Sequence, residues 1–172
     1  GYTMKRREAR EVAFKLTYEM VMTGAFNPET ADSLTVGADK ESREYILAVT
    51  DGIAAHRDGI KAVIAKYARG YGVDRIYRTD LAALYLACYE IVFTDTPKAV
   101  VANEAVELTK AYSDSLSYSF VNGIIASVIN AAESGELTSD NIDAATAEAD
   151  VAEAETAEVC ECAACGTESD NG

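Results

Sequence analysis

Residues Lys98-Ala-Val-Val-Ala-Asn-Glu-Ala-Val-Glu-Leu-Thr-Lys110, followed ten residues later by Phe120-Val-Asn-Gly123, decide the fold of this chain. In the first run Val101, Ala105 and Leu108 recur at three- and four-residue intervals with Val100 beside them, the spacing of a helix that buries one face. Asp95-Thr96-Pro97 precedes it. That triplet predicts Thr96 as N-cap and Pro97 as first helical residue, because a hydroxyl accepts a free amide there and proline lacks the donor that would go unpaired. The helix is expected to end near Tyr112. Beyond the serine-rich residues 113–119, a last helix from about Ser117 to Ala132 carries Phe120, Val121, Ile124, Ile125 and Val128 on its apolar face.

The same periodicity extends toward the N-terminus. A helix from about Arg75 to Phe93 carries Leu81, Leu84, Cys88, Ile91 and Val92. Before it, Gly70-Tyr71-Gly72 is a stop, and Tyr45, Ile46, Val49 and Ile53 then Ile60, Val63, Ile64 and Tyr67 form two helical segments with a break expected at Gly59. In residues 4–23, Ala9, Val12, Ala13, Leu16 and Met20 share one stripe. Gly24 and Asn27-Pro28 end it, and the polar residues 27–40 read as a connecting loop. No strand alternation is sustained. The expectation is an all-α domain over residues 1–132, about six or seven helices joined mostly by short loops and packed as antiparallel bundles.

Residues 133–172 differ in character. They hold 12 of the 29 acidic residues, no Lys or Arg and no aromatic residue, and so cannot bury enough apolar surface to offset chain entropy. They are expected to form a disordered acidic tail. The whole-chain charge of −14 therefore misrepresents residues 1–132, where 17 acids face 15 bases. Four of those bases, Lys5, Arg6, Arg7 and Arg10, fall within six residues, and a local basic patch is what a polyanion feels.

No apolar run approaches the roughly 20 residues that span a bilayer, and no signal-peptide core opens the chain, so a cytoplasmic protein is expected, with Met4 as the natural start. Cys88 reads as a buried small hydrophobe. Cys160, Cys162 and Cys165 form C-x-C-x-x-C in the tail, one thiol short of the usual four-ligand zinc site. His56 is the single histidine and reads as a surface or cap residue. Glu104 and Glu107, three apart on one helix, can share a cation or make ordinary salt bridges. Phosphate-cradling glycine loops and nucleophile elbows are absent from the sequence. No catalytic residue, metal or cofactor is assigned.

The first helix is the candidate nucleic-acid element. Guanidinium groups at Arg6, Arg7 and Arg10 suit phosphates and bases, and Tyr18, 11 residues after Arg7, falls about 20° away on the helical wheel as a stacking platform. A solvated basic N-terminus with a half-buried tyrosine accounts for the same residues.

Taken together these runs resemble the NusB family. The resemblance covers most of residues 4–131: Arg6-Arg7-Glu8-Ala9-Arg10-Glu11-Val12-Ala13, then Asp80-Leu-Ala-Ala-Leu-Tyr-Leu-Ala-Cys-Tyr-Glu-Ile91, then Asn103-Glu104-Ala105-Val106-Glu107-Leu108 with Phe120-Val121-Asn122-Gly123. It implies two small helical bundles packed together. It also implies transcription antitermination, in which the protein pairs with the ribosomal protein NusE and binds boxA RNA, joining other Nus factors and RNA polymerase, notably on ribosomal RNA operons. The family's RNA-contacting positions fall on the arginine-rich start, Tyr18, Tyr85 and Phe120, and its NusE-facing acid on Asp80. Three positions depart from the pattern: Tyr85 stands for an arginine, Leu116-Ser117 for an acidic-serine pair, and Ser119 for a lysine. Fewer cations predict a smaller salt dependence. The acidic tail is not a family feature; it is expected either to compete with RNA for the first helix or simply to solubilise the chain. Alternatives are a NusB-like protein scaffold without specific RNA binding and, from a different class, a metal-dependent helical-bundle enzyme. An exposed helical face would serve a homodimer or NusE equally.

Overall fold

A computed structural model describes residues 2–114 and 116–144. Seven α-helices follow one another: α1 (Arg6–Thr23), α2 (Pro28–Leu34), α3 (Lys40–Ala55), α4 (Arg57–Tyr67), α5 (Arg78–Phe93), α6 (Lys98–Tyr112) and α7 (Ser117–Glu133). Short 3-10 turns lie at Val73–Arg75 and Ile142–Ala144. The all-helical expectation holds, and α5 is its axle. Eleven of its 16 residues are buried, so it is apolar nearly all round, as a helix enclosed by neighbours must be. It packs against α1, α3, α4, α6 and α7, which ties the helices together. The main core runs through Phe14, Ile53, Ile64, Leu84, Val101 and Ile125, and a smaller cluster of Ala9, Leu16 and Ile46 ties α1 to α3.

Several boundaries differ from expectation, each for a local reason. Residues 27–40 are not all loop: the Asn27 side chain accepts the Glu29 amide at 3.0 Å and Pro28 starts α2, so a signal read as a breaker begins a helix. The break between α3 and α4 falls at His56, not Gly59. His56 stacks on Phe93 at 4.4 Å, and its Nδ1 lies 2.8 Å from Asp143. The α5 helix starts at Arg78 instead of Arg75, and α6 starts at Lys98 with Pro97 as its cap, while Thr96 instead pairs with Thr94. Val100 is 43% exposed, whereas Val101 beside it is in the core.

The ordered body also runs past residue 132. Residues 134–144 fold back, burying Leu137 and Ile142, with Glu136 2.9 Å from Lys66. This clasp is why Gly59 is glycine: a Cβ there would stand 2.6 Å from Asp143 Oδ1 and 2.8 Å from the Ile142 carbonyl. The rest of the acidic tail and its three cysteines lie outside the described residues. At the other end, Tyr2 bridges Gly37 and Asp39 through its backbone (2.8 and 3.0 Å), so residues ahead of Met4 take part in the fold.

Candidate nucleic-acid interface

The α1 helix opens where the Glu8 carboxylate accepts the Lys5 amide at 2.9 Å, closing the first turn with an acid at the positive end of the helix dipole. The cations that follow are divided between surface and interior. Lys5 is exposed, and the Arg7 side chain is 62% exposed, reaching Glu104 at 3.3 Å and Glu107 at 3.8 Å on α6. Arg6 lies 4.0 Å over the Tyr45 ring and 3.7 Å from Glu41.

Arg10 turns inward, and its assignment to the RNA surface is corrected. Its side chain is 5% exposed, and its Nε donates to both oxygens of Glu90, itself 1% exposed, at 3.0 and 3.2 Å. Burial opposes the Arg10 charge, but Glu90, Tyr45 and Glu104 together outweigh it and hold the guanidinium protonated. Glu90 also accepts a hydrogen bond from the Tyr45 hydroxyl, whose pKa is raised by burial first and by the Glu90 charge second. Arg10 is thus a bolt between α1 and α5, with no face for a ligand.

Tyr85 and Asp80 are likewise enclosed. Tyr85 is 3% exposed and its phenol is pushed up to about 12 by burial, partly offset by the Arg57 guanidinium. Such a ring is not presented for stacking. Asp80, in the first turn of α5, is buried, and its Oδ1 has no hydrogen-bond partner. Its carboxylate lies within the body instead of on an open partner face.

Tyr18 is 36% exposed on α1, about 17 Å beyond Arg7 along the axis at 1.5 Å per residue. Phe120 is half-buried and belongs to a separate group: its ring meets Tyr71 edge-on at 5.4 Å, and the Arg75 guanidinium lies 5.6 Å from the same Tyr71 ring.

The structure adds residues that the sequence reading missed. Tyr112 at the end of α6 packs against Phe14 at 5.1 Å and donates to Glu11 on α1, so it stands beside the Arg7 face. Lys110 lies 5.2 Å over Tyr118 from α7, and Leu116 in the connecting turn is 81% exposed. The α1 start, the end of α6 and the start of α7 therefore present cations interleaved with aromatic rings, the make-up of a single-strand binding surface. The signal was available: Lys-x-Tyr ending α6 repeats the cation-aromatic pairing sought on α1.

Among the described residues no group of three His, Cys, Asp or Glu could hold a metal ion, and no helix is long and apolar enough to cross a membrane. Cys88 is fully buried and its thiol is pushed up to about 12 by that burial, in keeping with a core role.

Comparison with known proteins places this geometry. The NusB family model matches residues 7–130. The chain is 40% identical to the transcription antitermination protein NusB of Acetivibrio thermocellus over 129 residues, covering 73% of this chain and 89% of that one. Its fold is similar to that of T. maritima NusB, with a TM-score of 0.68 at 27% identity over 75% of this chain and 93% of that one. It is also similar to a chain in a crystal structure of the antitermination factors NusB and NusE in complex with double-stranded RNA, with a TM-score of 0.66 at 27% identity, covering 73% and 96%. With the matched region spanning α1 to α7 in order, this chain belongs to the NusB family of transcription antitermination proteins.

Proposed function

We propose that this chain is a non-enzymatic, cytoplasmic RNA-binding adaptor that pairs with NusE and binds boxA RNA to resist termination, notably on ribosomal RNA operons. The observation that carries the reading is the cation-aromatic surface built on the NusB fold. Lys5 at the cap of α1 and Arg6, Arg7 and Tyr18 on it are joined by Lys110, Tyr112 and Tyr118. In this reading exposed cations neutralise phosphates, which fixes the register, while tyrosine rings stack on unpaired bases. Phe120, with Tyr71 and Arg75, supplies a second stacking group. Arg10 acts through the fold, and the similarity to a chain crystallised with NusE and RNA supports the pairing.

A second reading, a protein scaffold without specific RNA binding, is favoured by one observation: Arg6 and Arg7 already face carboxylates. Fluorescence anisotropy of labelled boxA RNA against a scrambled control, with and without NusE, separates the two. Specific binding strengthened by NusE is expected. Arg7→Ala should lower the salt slope by about 0.7, the single-strand value for one phosphate contact. Tyr18→Ala should cost about 1–3 kcal/mol of binding. Absence of any boxA preference even with NusE present would leave the scaffold.

A further inference from the structure

The acids facing Arg7 have a role of their own. Glu104 and Glu107 stand one helical turn apart on α6, and both carboxylates reach the same guanidinium, at 3.3 and 3.8 Å. Each also touches one further cation: Glu104 lies 3.9 Å from Arg10, and Glu107 lies 3.8 Å from Lys110. The five groups, Arg10, Glu104, Arg7, Glu107 and Lys110, form an alternating row from the buried Arg10 outward to Lys110. Two carboxylates on one face of a helix offer a guanidinium what two neighbouring phosphates would offer, namely paired anionic oxygens within reach of its fork.

We infer that Glu104 and Glu107 are an internal competitor for the RNA backbone, occupying Arg7, and in the case of Glu107 also Lys110, until phosphates displace them. The inference rests on the RNA-binding reading above and adds to it a residue pair that sets the affinity. Its physical basis is exchange. When a phosphate takes Arg7, the gain is the difference between the new contact and the ion pairs lost, so binding is weaker than the cation count alone predicts. A ligand with sparse or poorly placed phosphates fails to cover that loss, whereas one whose backbone follows the row does. The acids therefore favour correctly placed RNA over incidental polyanions. Arg10 makes the arrangement stable. Glu90 satisfies it from below, so it holds Glu104 in place without drawing that carboxylate away from Arg7.

The test is a mutant cycle read as RNA affinity. Glu104→Gln and Glu107→Gln are each made in the full chain and in an Arg7→Ala background. Each is titrated with labelled boxA RNA in the presence of NusE at about 50 mM and about 200 mM salt, where phosphate contacts dominate the difference. Partly exposed ion pairs of this kind hold about 0.2–1 kcal/mol, so each substitution should tighten binding by up to about fivefold at the lower salt. In Arg7→Ala the gain from Glu104→Gln should vanish, and that from Glu107→Gln should shrink to the share acting through Lys110. Gains of undiminished size in Arg7→Ala would overturn the inference, because the carboxylates would then act through their field on the RNA and not by holding Arg7. No gain in either background would overturn it as well, provided thermal melting shows each variant folded. A wild-type chain that binds no RNA with NusE present would instead sink the parent reading, and the inference with it.

Discussion

Replacing Arg10 with methionine should damage this protein more than any change at its exposed arginines. The side chain is of similar length, so the loss is electrostatic. Arg10 and Glu90 are 5% and 1% exposed, and both carboxylate oxygens take their hydrogen bond from the Arg10 Nε. With the guanidinium gone, Glu90 keeps only the Tyr45 hydroxyl as a donor, in a site closed to water. Leaving such a charge unpaired costs about 3–5 kcal/mol. At about 2–4 °C per kcal/mol for a domain of this size, melting should fall by roughly 6–20 °C. Glu90→Leu alone should be similarly harmful, since it strands the guanidinium. The double variant Arg10→Met/Glu90→Leu should recover most of the loss, ending within about 2 kcal/mol of wild type, the remaining cost being the Tyr45 hydroxyl that loses Glu90, since Glu104 keeps Arg7. Urea unfolding of the four chains, followed by circular dichroism at one pH, measures the cycle. If Arg10→Met unfolds within about 1 kcal/mol of wild type, or the double variant is no better than the sum of the singles, the bolt between α1 and α5 is not the bond described here.

Three further outcomes follow from single contacts. Gly59→Ala forces a methyl into the Ile142 carbonyl and Asp143, so the clasp of residues 134–144 should lift at a cost of about 1–3 kcal/mol; the cost should disappear in a chain ending at Glu133, and an equal loss there would refute the contact. Asp39 accepts the Met4 amide at 2.9 Å and the Ser42 amide at 3.0 Å, which lowers its pKa from 3.8 to about 2. Its folded value lies below its unfolded one, so its stabilisation is complete above about 4 and is lost as pH falls toward about 2. Protection of the Met4 and Ser42 amides, taken relative to their intrinsic exchange at each pH, should fall across that window and not across neutral pH. Tyr85→Phe should leave RNA affinity unchanged, because the ring is enclosed in the core. A threefold or larger loss of RNA affinity would restore Tyr85 to the binding surface.

The helices were legible because each carries its own period. Ala9, Ala13, Leu16 and Met20 are all buried on one stripe of α1, as their spacing requires. What escaped was whatever depended on a residue far away in the chain. Arg7 and Arg10 are the same residue type one turn apart, and their opposite fates are decided by Glu90, 80 residues away from Arg10, in the last turn of a mostly apolar helix. The period of α1 gives the direction of a side chain; it cannot say that an acid waits there to make an inward arginine tolerable. Tyr85 was misplaced for a related reason. On a helix as apolar as α5 no face is marked as outer, so a tyrosine in it carries no sign of whether its ring meets solvent. Ile142 was missed because a single apolar residue in an acidic run has no period at all, although it is fully buried against α4.

The same distinction explains why net charge was a poor guide to the interface. Counted along the chain, the start of α1 is a basic patch; in three dimensions Arg6 meets Glu41, Arg7 meets Glu104 and Glu107, and Arg10 meets Glu90. Each of those acids comes from a different turn or helix, so no window of sequence contains both halves of a pair. One hint did survive in the sequence: Glu104 and Glu107, expected to make ordinary salt bridges, do make them, both to Arg7. A surface whose cations are matched one by one by acids does not draw polyanions by its mean potential. On the RNA-binding proposal it would discriminate by whether an incoming backbone can replace the acids in place, and α6, as much as the arginines of α1, would then set the affinity.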